Sequence, residues 1–160
     1  MILGSDAIQE RLATGEITID PFRLENLNPN SYNYHLGRKL LMPAEEESIV
    51  GNETRWLTLD IAKTGLLLRP GTLYLGSTVE TIGSERGITL LVGRSSVGRL
   101  GMYVQIDADL GHQGAVHAWT LEITVVQPLQ VYPEMPIGQV SFWESTGLET
   151  PYRGSYASHY

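Results

Sequence analysis

Residues 65–92, GLLLRPGTLYLGSTVETIGSERGITLLV, read as short strand-forming runs broken by turn residues. The runs 65–69 and 72–80 flank Pro70–Gly71, a good turn pair, and a third run covers 87–92. The same texture extends outward on both sides. Further candidate strands lie at 17–20, 31–36 (SYNYHL), 102–106, 116–126, 129–132 and 137–143. Glycine and proline, at 17 and 8 of 160 residues, exceed the roughly 12% of an average chain and punctuate these runs. One helix is expected near the start, with Ser5 as N-cap, Ile8 and Leu12 four apart, and Gly15 as the stop. A single turn of helix can follow Ser95–Ser96. Pro43–Asn52 (PAEEESIVGN) reads as an acidic surface loop, and residues 151–160 (PYRGSYASHY) as a polar, aromatic tail without a period. The expectation is one mainly β domain over residues 1–160, a sandwich or barrel, with no repeat and no linker.

Composition removes several chemistries. The chain has no cysteine, which excludes disulfides, thiol nucleophiles, iron–sulfur clusters and thiolate zinc sites. That includes the zinc deaminase pattern, which needs Cys-x-x-Cys beside His-x-Glu. A net charge of -7 argues against a nucleic-acid backbone as partner, although a local Arg cluster can still take a small anion. No apolar run nears the roughly 20 residues of a membrane span. The N-terminus lacks a basic stretch followed by an apolar one, so the expectation is no signal peptide and a cytosolic protein.

Chemistry concentrates in few places. Gly93–Gly101, GRSSVGRLG, brackets Ser95 and Ser96 between Arg94 and Arg99 on a backbone opened by three glycines. Arg forks and Ser hydroxyls suit phosphate oxygens; the bland alternative is a glycine-rich turn whose serines cap a short helix and whose arginines are solvated. Within WTLEITVV (119–126), alternation puts Thr120, Glu122 and Thr124 on one face and Leu121, Ile123 and Val125 on the other. A carboxylate in mid-strand either faces solvent or serves as a general acid/base in a pocket. Apolar Trp119 and Leu121 are expected to help keep such a site dry. Residues 106–117, IDADLGHQGAVH, hold Asp107, Asp109, His112 and His117, but the spacing fits no compact ligand motif, so no metal site is expected. LNPNSYNYHLG (27–37) reads as a structural turn followed by a strand with buried tyrosines.

Taken together, ILGSDAIQERL, LNPNSYNYHLG, LRPGTLYLGSTVE, GRSSVGRLGM, AWTLEI and YPEMPIGQVSF resemble the dCTP deaminases, relatives of the trimeric dUTPases, almost end to end. The specific element is GRSSVGRLG followed 21 positions later by Glu122. The resemblance implies a distorted β-barrel or jelly roll of the dUTPase-like type, assembled as a homotrimer with interfacial sites. It implies a nucleotide substrate, no nucleic-acid or membrane partner, no zinc, and Mg2+ arriving with the triphosphate. It assigns the triphosphate to Arg94, Ser95, Ser96 and Arg99, and catalysis to Glu122, Ser95 and Arg99. Base and sugar contacts fall to Asp107, Ala108, His112, Thr120 and Leu121, with Tyr152, Ser155 and His159 in the tail.

Some positions depart from the family pattern. His112 stands for a usual Asp, His117 for Gly, Asp107 for Thr, and Gln105 for His. In the tail Ser155 stands for Lys and His159 for Gln, and the segment is shorter. The reading that follows is hydrolytic deamination of a cytosine nucleotide, dCTP to dUTP and ammonia. The alternatives are a dUTPase-like pyrophosphohydrolase or bifunctional enzyme, a deaminase of another cytosine nucleotide, and a trimer that only binds nucleotides.

Overall fold

The computed structural model describes residues 1–45, 53–105 and 109–147. In chain order these form α1 (Ser5–Ala13), β1 (Ile17–Asp20), β2 (Leu27–Asn28), β3 (Ser31–His35), β4 (Lys39–Pro43), β5 (Trp56–Asp60), β6 (Leu66–Leu68), β7 (Tyr74–Ser84), β8 (Gly87–Gly93), α2 (Ser95–Gly98), β9 (Met102–Gln105), β10 (Leu110–Gly111), β11 (Val116–Val125), β12 (Leu129–Val131) and β13 (Pro136–Glu144). The expected helix and the turn of helix after Arg94 are both present. The N-cap of α1 is Gly4, not Ser5: Gly4 is extended (φ -82°, ψ 168°) and its carbonyl accepts the Ile8 N–H at 2.9 Å, so Ser5 is already the first helical residue. Gly15, at φ 76°, takes the left-handed position that ends the helix. Pro43 belongs to β4 rather than to the acidic loop, and residues 46–52 of that loop lie outside the described residues.

Two sheets carry the architecture. One runs β5-β4-β7-β11-β9, with β1 pairing the far half of β7. The other runs β10-β8-β13-β3-β2, and β12-β6 is a small separate ribbon. Every strand pair is antiparallel. The sheets do not close on themselves among the described residues, so the fold is a jelly-roll-like sandwich and not a closed barrel.

The core follows from period-2 patterning. Tyr32 and Tyr34 of β3 are both fully buried, as the sequence suggested, and share one core cluster with Ile82, Leu121, Ile123 and Phe142. Tyr34 donates its hydroxyl to the Val92 carbonyl at 3.1 Å. Burial pushes its phenol well above the ordinary range, and the negative charge of Glu80 adds to that shift. Gly138 of β13 packs against the Tyr34 ring so closely that any Cβ would overlap it.

A polar tie joins the sheets at one corner. Leu36 bridges to Thr78 of β7, so the chain leaves the β3 sheet there and enters the β4 sheet. The Glu80 carboxylate holds this crossover. It accepts the His35 backbone N–H at 2.9 Å and meets His35 Nδ1 at 2.5 Å. Glu80 is 1% exposed and His35 6%, so each supplies the other's partner in a place water does not reach.

Candidate active site

Strand β11 lies between β7 and β9, which fixes the direction of every side chain on it. Trp119, Leu121, Ile123 and Val125 are buried, while Thr120 and Thr124 are exposed and Glu122 is half-buried. The alternation read from the sequence therefore holds. Glu122 is directly opposite Leu75 on one side and Gln105 on the other, and Thr120 is opposite Ser77. Directly opposed residues share a face, so Thr120, Glu122 and Ser77 stand together on the outer face of this sheet. Leu121 has no exposed surface, so a ligand on the Glu122 face can reach it only through its backbone. Trp119 and Leu121 also do not wall the site, as the sequence reading had them do. They point to the core from the opposite face.

The Gly93–Gly101 segment forms a tight turn at the end of β8. Arg94 is the extended N-cap of α2, without any side-chain cap bond. The turn is closed by backbone bonds: Gly98 N–H to Arg94 O and Arg99 N–H to Ser95 O, each 3.0 Å. Val97, 5% exposed, pins it to the core. Ser95, Ser96 and Arg99 are exposed and Arg94 is half-buried. Among the described residues none of these four side chains makes a hydrogen bond or ion pair. The serines are therefore not spent on capping, although exposed arginines are also what a plain glycine-rich surface turn carries. Four side chains and their donors surround one short turn on an otherwise acidic chain.

One ladder connects the turn to Glu122. Gly101, at φ 87°, redirects the chain into β9, and its carbonyl accepts the Val126 N–H at 2.9 Å. A side chain there would be conformationally strained and would strike Val126. From that anchor β9 pairs β11 with Met102 opposite Val125 and Gln105 opposite Glu122. Three strand residues span about 10 Å, so the ladder carries the chain that far from Met102, just past the donor-rich turn, to the position opposite the carboxylate.

The remaining candidates are spread. His112 is exposed, follows β10 at the edge of the other sheet, and accepts the Ala115 N–H on its carbonyl. His117 lies on β11 opposite Ile82, with its ring 4.4 Å from that of Trp119. Its Nδ1 is 3.0 Å from the Ala118 carbonyl. The two histidines are thus on different elements. Asp107, Ala108, Tyr152, Ser155 and His159 lie outside the described residues. The sequence reading passed over Thr78, Glu80 and His35. The available signal was alternation in β7, which puts Thr78 and Glu80 on the same inward face as Tyr74 and Ile82.

Comparison with known proteins bears on this arrangement. A family model described as dCTP deaminase-like matches residues 2–145. A protein of Rhodopirellula baltica named dCTP deaminase is 43% identical over 147 residues, covering 92% of this chain and 74% of its own length. Proteins of Hathewaya histolytica and Leptospira biflexa, both named "dCTP deaminase, dUMP-forming", are each 41% identical over 160 residues. These alignments cover 99% of this chain and 92% and 91% of the respective relatives. Among solved structures, the 2'-deoxycytidine 5'-triphosphate deaminase of Agrobacterium tumefaciens superposes with a TM-score of 0.70 at 22% identity. It covers 90% of this chain, which spans about half (48%) of the Agrobacterium one, and the likeness is one of fold.

Proposed function

This chain belongs to the dCTP deaminase-like family, and from that premise we propose that it hydrolyses dCTP to dUTP and ammonia with Glu122 as the acid/base. The observation that carries the proposal is the β9–β11 ladder, which joins an outward-facing mid-strand carboxylate to a turn rich in anion donors. Glu122 accepts a proton from water as the water oxygen bonds to C4 of cytosine. It then delivers a proton to the exocyclic amino group as the C4–N4 bond breaks. One water is consumed and one ammonia released, and the base gains a carbonyl. Ser95 and the backbone near Asp107–Ala108 are assigned to hold the water, with Thr120 and the Leu121 backbone along the base and His112 at the sugar. Tyr152, Ser155 and His159 are assigned to the tail that covers the nucleotide. Magnesium is part of the substrate here, as counter-ion of the triphosphate. The grip of Arg94, Ser95, Ser96 and Arg99 on the phosphates orients the base and contributes binding energy remote from the reacting atom. The substrate is a cytosolic metabolite, so the reaction is placed in the cytosol.

A second reading is favoured by the relatives named dUMP-forming: the same site goes on to hydrolyse dUTP to dUMP and pyrophosphate. A panel of dCTP, CTP, dCMP and dUTP, each with magnesium, separates the cases. Ammonia is expected from dCTP. Pyrophosphate in equal amount marks the second reading. Ammonia from none of the three cytosine nucleotides and no pyrophosphate from dUTP, with dCTP still bound, would leave only a nucleotide-binding protein.

The phosphate assignment makes its own prediction. Arg99→Ala removes a charge-assisted contact worth about 1.5–3 kcal/mol, so dCTP affinity is expected to fall roughly tenfold to a hundredfold. Deoxycytidine affinity should stay within about twofold. Calorimetry with both ligands checks this, and equal losses would remove Arg99 from the phosphate grip.

The assembly is proposed to be a homotrimer with sites at its interfaces. Its support is the apolar rim around the phosphate turn: Leu100, Tyr103 and Val126 are 53%, 51% and 64% exposed in the single chain. Light scattering is expected to give three times 17.7 kDa, and a monomeric mass would contradict it.

A further inference from the structure

We infer that Thr78 is a positioning residue for the strand segment that carries Glu122, a role that rests on the catalytic reading of Glu122 given above. The register of β7 against β11 is interrupted next to that segment. Ala118 is opposite Thr81, but Thr120 is opposite Ser77, so Thr78–Glu80 stand against Trp119 alone. An irregularity of this kind leaves backbone donors without ladder partners and re-aims the residues beyond it. Here the Trp119 N–H donates to Thr78 Oγ1 at 2.9 Å, and that hydroxyl donates onward to the Glu80 carbonyl at 2.7 Å. Thr78 is 3% exposed, so no water is at hand to take its place. The indole Nε1–H of Trp119 donates to the Ile82 carbonyl at 3.0 Å, fixing the same residue a second time. Pairing resumes directly afterwards, with Glu122 three residues on. The Thr78 hydroxyl therefore defines where the resumed segment sits relative to β7, and with it the place of the Glu122 carboxylate. The phosphate turn is held by other bonds and does not depend on it.

The test uses the full chain and two variants. Thr78→Val keeps the shape and removes the hydroxyl, while Thr78→Ser keeps the hydroxyl. With dCTP, T78V is expected to lower kcat by roughly tenfold or more, as small misplacements of a reacting group do, with KM within about threefold. T78S should restore kcat to within about threefold of the wild type. Amide exchange at 119–122 supplies a readout that needs no turnover: about tenfold faster in T78V, and near wild type in T78S. Wild-type kcat and unchanged exchange in T78V would overturn the inference. So would a tenfold lower kcat in folded T78S, which assigns the effect to the methyl group and remains readable if T78V does not fold. A wild-type chain that releases no ammonia from dCTP counts against the functional reading instead, and the exchange comparison still decides the role of Thr78.

Discussion

Glu122→Gln is expected to lower ammonia release from dCTP by about 10²–10⁴-fold, the usual worth of a positioned acid/base. It should leave dCTP affinity within about threefold of the wild type. The substitution is nearly isosteric, and it sits on the outer face of β11 while the core is filled from the other face by Leu121 and Ile123. Packing therefore does not change, and Thr120 and Ser77 keep their places beside it. What changes is that an amide can neither take the proton from water nor return one to the leaving nitrogen. Stopped turnover with retained binding is the signature of a group that acts mainly in the transition state. The measurement is single-turnover ammonia release alongside calorimetric dCTP affinity. Wild-type turnover in the variant would move the acid/base role to another residue.

The largest effect on stability is expected at Glu80. Glu80→Ala leaves the His35 backbone N–H and its Nδ1 without their partner in a corner that water does not reach. Breaking a buried pair by removing one member costs about 3–5 kcal/mol, a large share of the roughly 5–15 kcal/mol that holds a typical domain folded. For a chain of this size that corresponds to roughly 10 °C or more in Tm. Glu80→Gln retains an acceptor oxygen and is expected to lose about 1–2 kcal/mol. Urea denaturation of both variants measures the difference. If E80A unfolds at the wild-type midpoint, the corner is held by the apolar neighbours and not by the carboxylate. Glu80 lies on the inner face of β7 and Glu122 on the outer face of β11, so the two substitutions separate stability from chemistry.

How much of this was legible in the sequence depended on whether a strand shows an alternating pattern or, like the short β1, β6, β9 and β12, an apolar run set off by turn residues. Strands β3, β7, β8, β11 and β13 do, and their alternating patterns placed them within a few residues. Lys39–Pro43 and Trp56–Asp60 were missed. KLLMP shows no alternation, and its partner strand WLTLD is half exposed at the sheet edge, where packing imposes little pattern. Leu27–Asn28 and Leu110–Gly111 are two residues each, too short to carry a period.

The face bearing Glu122 was legible for the same reason. The same alternation turns the Trp119 and Leu121 side chains to the core, so they cannot keep the Glu122 face dry by lining it. The serines of the Gly93–Gly101 turn show the limit of motif reading. Whether Ser95 and Ser96 cap the helix or point outward is decided by the extended Arg94 N-cap, which composition does not reveal. The His35–Glu80 tie was illegible because it joins residues 45 apart at a corner where the chain changes sheets. Alternation in β7 turns Glu80 inward, but nothing local in either strand names its partner.

The central claim is that this chain replaces the cytosine amino group of dCTP with oxygen from water. It is tested most directly by running the reaction in H₂¹⁸O and reading the product by mass spectrometry. The expected product is a deoxyuridine nucleotide with one ¹⁸O on the base at C4, with release of ammonia. If pyrophosphate is also released, a second ¹⁸O should appear on the phosphate of dUMP or in the pyrophosphate. A product that keeps its cytosine amino group and carries ¹⁸O only on phosphate would contradict the account and make the site a pyrophosphohydrolase alone.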